Sequence, residues 1–151
     1  MNAYLSVLVQ ASLPIWERGS LPIALEIYHL PLWQAFLLCI IGNMIPVIFL
    51  VYFFESISRF LMARFKFWHK IFTWLFERTR AKHSKKFENW GEFTLVAITG
   101  IPLPLFGPWS GALAAFIFGV PPKKSIPFIF LGAVIALIIL SIFTLSLNRV
   151  L

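Results

Sequence analysis

Aspartate is absent from the chain, cysteine occurs once, at Cys39, and the three histidines, His29, His69 and His83, stand far apart. A lone cysteine closes no intramolecular disulfide, and scattered histidines do not gather the ligands of a metal site. No metal and no cofactor is expected. There is also no nucleophile elbow and no phosphate-binding loop, so the sequence gives no ground for an enzyme. Charge itself is scarce: 13% of residues carry it, against about a quarter in ordinary soluble domains.

Apolar residues fill the space that charge leaves. The chain is 60% hydrophobic and 17% aromatic, with a mean hydropathy of +0.86. This is the composition of an all-α integral membrane protein, and 151 residues make a single membrane domain with no room for a separate soluble one. The net charge of +7 comes from Lys and Arg bunched beside apolar runs, with no nucleic-acid motif among them. Attraction to anionic lipid and retention in the cytoplasm account for it, and no nucleic acid is expected as a partner.

The informative stretch is 93–120, a run without charge. As one helix it would be about 42 Å long, well beyond the roughly 30 Å of bilayer hydrocarbon. Pro102, Pro104 and Pro108, with Gly100 and Gly107, forbid a continuous helix in any case. Broken backbone at membrane depth survives only where protein covers it or where it lines a water-filled cavity. The spacing therefore predicts a re-entrant hairpin with half-helices over 93–99 and 109–119 and a tip at 101–108. Gly100, Pro102, Pro104, Gly107, Trp109 and Gly111 become candidate pathway residues.

Residues 1–30 read as a similar but shorter pair. Residues 1–16 are apolar but lack the basic start of a secretory signal, so they are expected to stay in the mature protein. Neither apolar piece of 1–30 is long enough to span alone. Glu17, Arg18, Gly19 and Pro22 lie between the two pieces. As the tip of a hairpin, Glu17 and Arg18 would be ionisable groups at membrane depth, which mark function by default. As an ordinary turn between interfacial helices they would be exposed.

Residues 32–54 form the first full span, holding Asn43 and Pro46. Pro46 frees the carbonyl of Gly42, and Asn43 is either glue between helices or a pathway ligand. From 55 to 90 the chain turns basic, with Arg59, Arg64, Lys66, Lys70, Arg78, Arg80, Lys82, Lys85 and Lys86 among aromatics at helical spacing. This predicts an amphipathic connector on the membrane face, meeting anionic lipid headgroups over 59–86. After Lys123 and Lys124 the second span covers 125–147, with Gly132 and Ala136 as a small-residue face.

The positive-inside rule puts the connector, Lys123 and Lys124 in the cytoplasm. Both ends of the second hairpin are then cytoplasmic, and 1–30 enters from the opposite face. Each half reads as hairpin then span, in opposite orientation, as in transporters built from inverted repeats. Gly19 to Pro22 before Trp33-Gln34-Ala35 pairs weakly with Gly100 to Pro104 before Trp109-Ser110-Gly111.

At these residues the chain resembles the putative small multidrug export protein family, which looks like a compact relative of the DedA and VTT-domain membrane proteins. The resemblance rests on Arg18-Gly19 with Pro22, on Gly42-Asn43 with Pro46, and on Ile101-Pro102-Leu103-Pro104 followed by Gly107, Trp109, Gly111 to Ala115 and Gly119. In the first motif an acidic residue is expected two places before the arginine, where this chain has Trp16, with Glu17 adjacent. The family name implies export of small molecules, and the DedA-like resemblance implies translocation of a lipid-linked one.

Two functions follow. One is a small secondary transporter in a prokaryotic cytoplasmic membrane, moving a small amphipathic or lipid-linked substrate. In the proton-coupled form of this reading Glu17 carries the proton, and Arg18 is its partner or an anion ligand. The other is a membrane scaffold or a lipid- or partner-binding subunit that transports nothing. Either fits a monomer or a homo-oligomer.

Overall fold

A computed structural model describes residues 2–14, 16, 19–103 and 106–150, with the side chains of 76, 79–90, 148 and 150 left aside. Among the described residues the chain is helical and has no strand. The helices are α1 (Ala3–Ser12), α2 (Ser20–Glu26), α3 (Leu32–Arg64), α4 (Lys66–Gly100), α5 (Pro108–Phe118) and α6 (Pro122–Val150).

Their ends follow from local chemistry. Pro31 is the N-cap of α3, Pro108 opens α5 and Pro122 opens α6, positions where a missing N–H costs nothing. Gly119 ends α5 in the left-handed region at φ 69°, and the amide of Val120 donates back to the carbonyl of Ala115 at 2.9 Å. That closure is open to glycine because it has no Cβ to clash there. Past α2, His29 takes a left-handed backbone at φ 50° before Pro31 starts the next helix.

Side-chain contacts fix the directions of the helices. Tyr4 at the start of α1 donates to Gln34 at the start of α3, while Ser12 at the end of α1 donates to the carbonyl of Gly42; α1 and α3 run parallel. The second half of α4 runs parallel to α6 in the same way. Glu92 pairs with Lys124 at 3.3 Å, Phe93 stacks edge-on with Phe128, and Thr99 abuts Gly132. By contrast α3 and α6 are antiparallel. Cys39 and Leu137 share one core, whereas Val47, Val51, Ile129 and Ala133 share the other.

Among the described residues two helices, Leu32–Arg64 and Pro122–Leu147, are long and apolar enough to cross a membrane. Their outward faces carry Leu37, Ile41, Ile45, Phe49, Phe53, Ile138, Ile142 and Phe143, all exposed. An apolar surface of that extent is lipid-facing, and the chain is a membrane protein.

Two boundaries differ from the sequence reading. The helix that holds the first span does not stop at Phe54: α3 continues to Arg64, because nothing between Glu55 and Arg64 breaks a helix, and it ends where Phe65 goes extended (φ −129°, ψ 116°). Nor is 93–99 a separate half-helix, since it is the last two turns of α4, which runs unbroken from Lys66. The break itself falls between Gly100 and Pro108, where the prolines and glycines place it.

Candidate functional site

Ser12 and Ser20, on either side of the α1–α2 turn, reach Gly42 and Cys39, about 10–15 Å along α3 from Leu32. Gly100, at the α4–α5 break, lies against Gly132 and Ile135, about 15–20 Å along α6 from Pro122. Because α3 and α6 are antiparallel, the two breaks come to the same level of the molecule.

Pro46 lies inside α3 and leaves the Gly42 carbonyl without its helical N–H, as its position in the sequence requires. The structure supplies the replacement. Ser12 Oγ is 3.0 Å from the Gly42 oxygen and 2.8 Å from its own Leu8 oxygen, so one hydroxyl proton is shared between two acceptors. On the returning arm Ser20 shares a hydrogen bond with Cys39 Sγ at 3.3 Å. Cys39 is fully buried and holds α2 against α3.

Gly42 and Gly132 are close helix crossings, one in each half. A Cβ on Gly42 would lie 2.6 Å from Ala11 Cβ and 2.8 Å from the Leu8 oxygen; one on Gly132 would lie 2.6 Å from Thr99 Cβ and 2.8 Å from the Val96 oxygen. The two crossings are the same contact made twice. Gly111 faces the same Thr99 and Ile129 from α5.

Polar groups gather at this level. Asn43 is 2% exposed, and its Oδ1 has no hydrogen-bond partner among the described residues. The same holds for the buried Nε1 of Trp109 and Oε1 of Gln10. Buried polar atoms are nearly always paired, so such atoms need an explanation. Asn43 is one residue from the Gly42 crossing, Gln10 lies within the same turn of α1 as Ala11, and Trp109 lies in the first turn of α5.

The remaining expected site residues divide clearly. Gly19 is the N-cap of α2, with Pro22 in its first turn, and Gly107 is the N-cap of α5. Pro102 is half-buried in the α4–α5 break and Gly100 ends α4. Glu17, Arg18 and Pro104 lie outside the described residues. The weak pairing of Trp33 with Trp109 is corrected: Trp33 is in the first turn of the long α3 and Trp109 in the first turn of the short α5. Gly19 and Gly107 are instead the residues in like positions, each the N-cap of the short helix after a break. Ser12, Ser20, Gln10 and Thr99 were missed, although Gly42's freed carbonyl signalled that a nearby hydroxyl was needed.

On the connector, Arg59 pairs with Glu55 one turn earlier, and Arg78 lies 5.1 Å over the ring of Trp74. Phe65, Phe67, Trp68 and Trp74 are exposed beside Lys66 and Lys70.

The family described as "Putative small multi-drug export protein" matches residues 17–139. The chain belongs to this family. The match begins just before the cap of α2 and runs through the Gly42, Asn43 and Pro46 cluster, the α4–α5 break and the Gly132 crossing, so it takes in both breaks. The family's description is of export, consistent with a transporter-like role. No curated protein and no solved structure matches it.

Proposed function

We propose that this protein is a small secondary transporter in which two re-entrant hairpins, α1–α2 and the end of α4 with α5, enter from opposite faces and meet at mid-membrane. The parallel packing of each first arm on its own long helix supports that reading. So does the antiparallel packing of α3 on α6, the arrangement that an inverted repeat of two halves requires. Breaks some 15 Å from the helix starts correspond to half of a roughly 30 Å hydrocarbon core.

The observation that carries the proposal is the unpartnered Asn43 Oδ1, buried beside the α1–α3 crossing at the level of both breaks. With Trp109 Nε1 it offers one acceptor and one donor at a depth where polar groups are otherwise costly. A small amphipathic or lipid-linked molecule can satisfy them in passing. Glu17 and Arg18, adjoining the first hairpin's returning arm, are the proposed proton carrier and its partner or anion ligand. The basic connector faces the cytoplasm and docks on anionic headgroups, as its exposed aromatics beside Lys66, Lys70 and Arg78 suit it to do. On the same reading the chain is a compact DedA-like protein of a prokaryotic inner membrane.

Proteoliposomes holding a pH gradient test this. Organic cations and a lipid phosphate are added in turn to native protein and to Glu17→Gln. Dissipation by native protein with at least one compound, lost in Glu17→Gln, is the expected result. A folded protein that dissipates the gradient with none of them would contradict proton-coupled transport and favour a scaffold.

A further inference from the structure

Two depressions lie at opposite ends of the α3–α6 pair. Where α3 begins and α6 finishes, Trp33, Phe36 and Leu37 face Ile138, Ser141 and Ile142 across a groove of about 560 Å³. Where α3 leaves and α6 begins, Val51, Glu55 and Ser58 face Gly119 and Pro122 around about 180 Å³. The sequence spacing that carries Gly42 to Gly132 also carries Val51 to Ser141, Glu55 to Leu145 and Leu32 to Pro122. Each of these residues lines one of the two depressions. The groove thus occupies in one half the place that the pocket occupies in the other, and both belong to the duplicated plan of the molecule.

Their chemistry differs. The pocket holds a carboxylate, Glu55, paired with Arg59, beside Ser58, whose hydroxyl donates to the Glu55 carbonyl at 3.0 Å. Among the described residues the groove holds no ionisable side chain, and its hydroxyl, on Ser141, is also donated to a carbonyl, that of Leu137, at 2.7 Å. No described residue there carries a charge to recognise a polar head. Trp33, Leu37, Ile138 and Ile142 on its walls are exposed, so it opens sideways on the face that meets lipid. Trp33, in the first turn of the span, is an aromatic of the interfacial kind at its rim. The volume is that of a ligand site.

We propose that the groove between the start of α3 and the end of α6 binds the hydrocarbon tail of a membrane-resident amphiphile, which enters sideways from the bilayer. The inference rests on the transporter reading and narrows its substrate class to tailed amphiphiles, as against solutes arriving from water. A second groove serves as an internal control. It has about 520 Å³ and is lined by Ile45, Ile48, Phe49, Tyr52 and Phe53, all on α3, so it is equally lipid-facing but has no second helix as a wall.

The test uses the full chain in phosphatidylcholine–phosphatidylglycerol vesicles doped with a phospholipid carrying a diazirine in its acyl chain, with labelled residues mapped by mass spectrometry. The expected result is an excess of about tenfold at Phe36, Ile138 and Ile142 over Ile48, Phe49 and Phe53, abolished by Ile138→Trp or Leu37→Trp, which fill the groove from exposed positions. Equal labelling of the two grooves means ordinary lipid contact and overturns the proposal. So does a disulfide between two copies of Leu37→Cys with the groove unlabelled, which would mean that a second copy covers it. Flux without the excess removes the groove and leaves the transporter, whereas the excess without flux of any compound removes the transporter and leaves the groove as a tail site.

Discussion

Replacing Asn43 with leucine is expected to leave the fold as stable as before, or more so, and to lower flux about tenfold or further, roughly the effect of 1.4 kcal/mol on a barrier. The reasoning starts from its environment. Asn43 is 2% exposed on a helix long and apolar enough to cross a membrane, and its Oδ1 has no partner among the described residues. A leucine, larger but branched at the same carbon, removes an unsatisfied acceptor without opening a cavity, a change that is neutral or favourable where the polar atom was not in use and the lipid-side neighbours give way. If Asn43 were glue between helices, its loss would instead cost about 0.6 kcal/mol, the average for such bonds in a membrane. Thermal unfolding in detergent and flux in liposomes, measured on one preparation, separate the cases. A fall in flux that only follows a fall in folded protein would return Asn43 to a structural role.

Gly42→Ala and Gly132→Ala are expected to destabilise the protein by similar amounts, about 1–3 kcal/mol each, the usual cost of an extra methyl in a packed interior. In both cases the added carbon would lie 2.6 Å from a Cβ and 2.8 Å from a backbone oxygen of the crossing helix. Neither atom is the end of a flexible side chain, so relief requires the helices to move apart. Gly100→Ala is the matched control, because a Cβ there meets nothing closer than 3.5 Å; it should cost little or nothing. Unfolding midpoints of the three variants check this. A large difference between Gly42→Ala and Gly132→Ala would mean that the two crossings are not equivalent.

That equivalence was only partly legible in the sequence. The break between Gly100 and Pro108 could be read directly, since Pro102 and Pro108 remove amide donors and no helix continues through them. The freed carbonyl of Gly42 could also be read, from Pro46. What could not be read was the partner, Ser12, because its hydroxyl reaches Gly42 only after α1 has packed parallel to α3. The continuation of α3 to Arg64 was equally hidden: amphipathic periodicity shows helix but not where one helix gives way to the next, and Phe65 carries no stop signal. The pairing of Trp33 with Trp109 failed for a related reason. Aromatic residues suit both a span's interfacial end and the start of a half-helix, so resemblance between them did not fix the register. The caps Gly19 and Gly107 and the crossing glycines Gly42 and Gly132 make the better comparison, because a tight geometry depends on them.

The arrangement stands or falls on the depth of the two breaks. Single cysteines at Leu13 and Leu103, both exposed, are introduced in a Cys39→Ala background, labelled with a small fluorophore and reconstituted with lipids carrying nitroxides at graded depths. The expected result is strongest quenching of both labels by nitroxides near the acyl-chain ends, within about 5 Å of the centre of a roughly 30 Å core, while a label at Ile27 is quenched from the headgroup region. Quenching of either tip from headgroup depth would make that hairpin an interfacial turn and contradict two breaks meeting at mid-membrane.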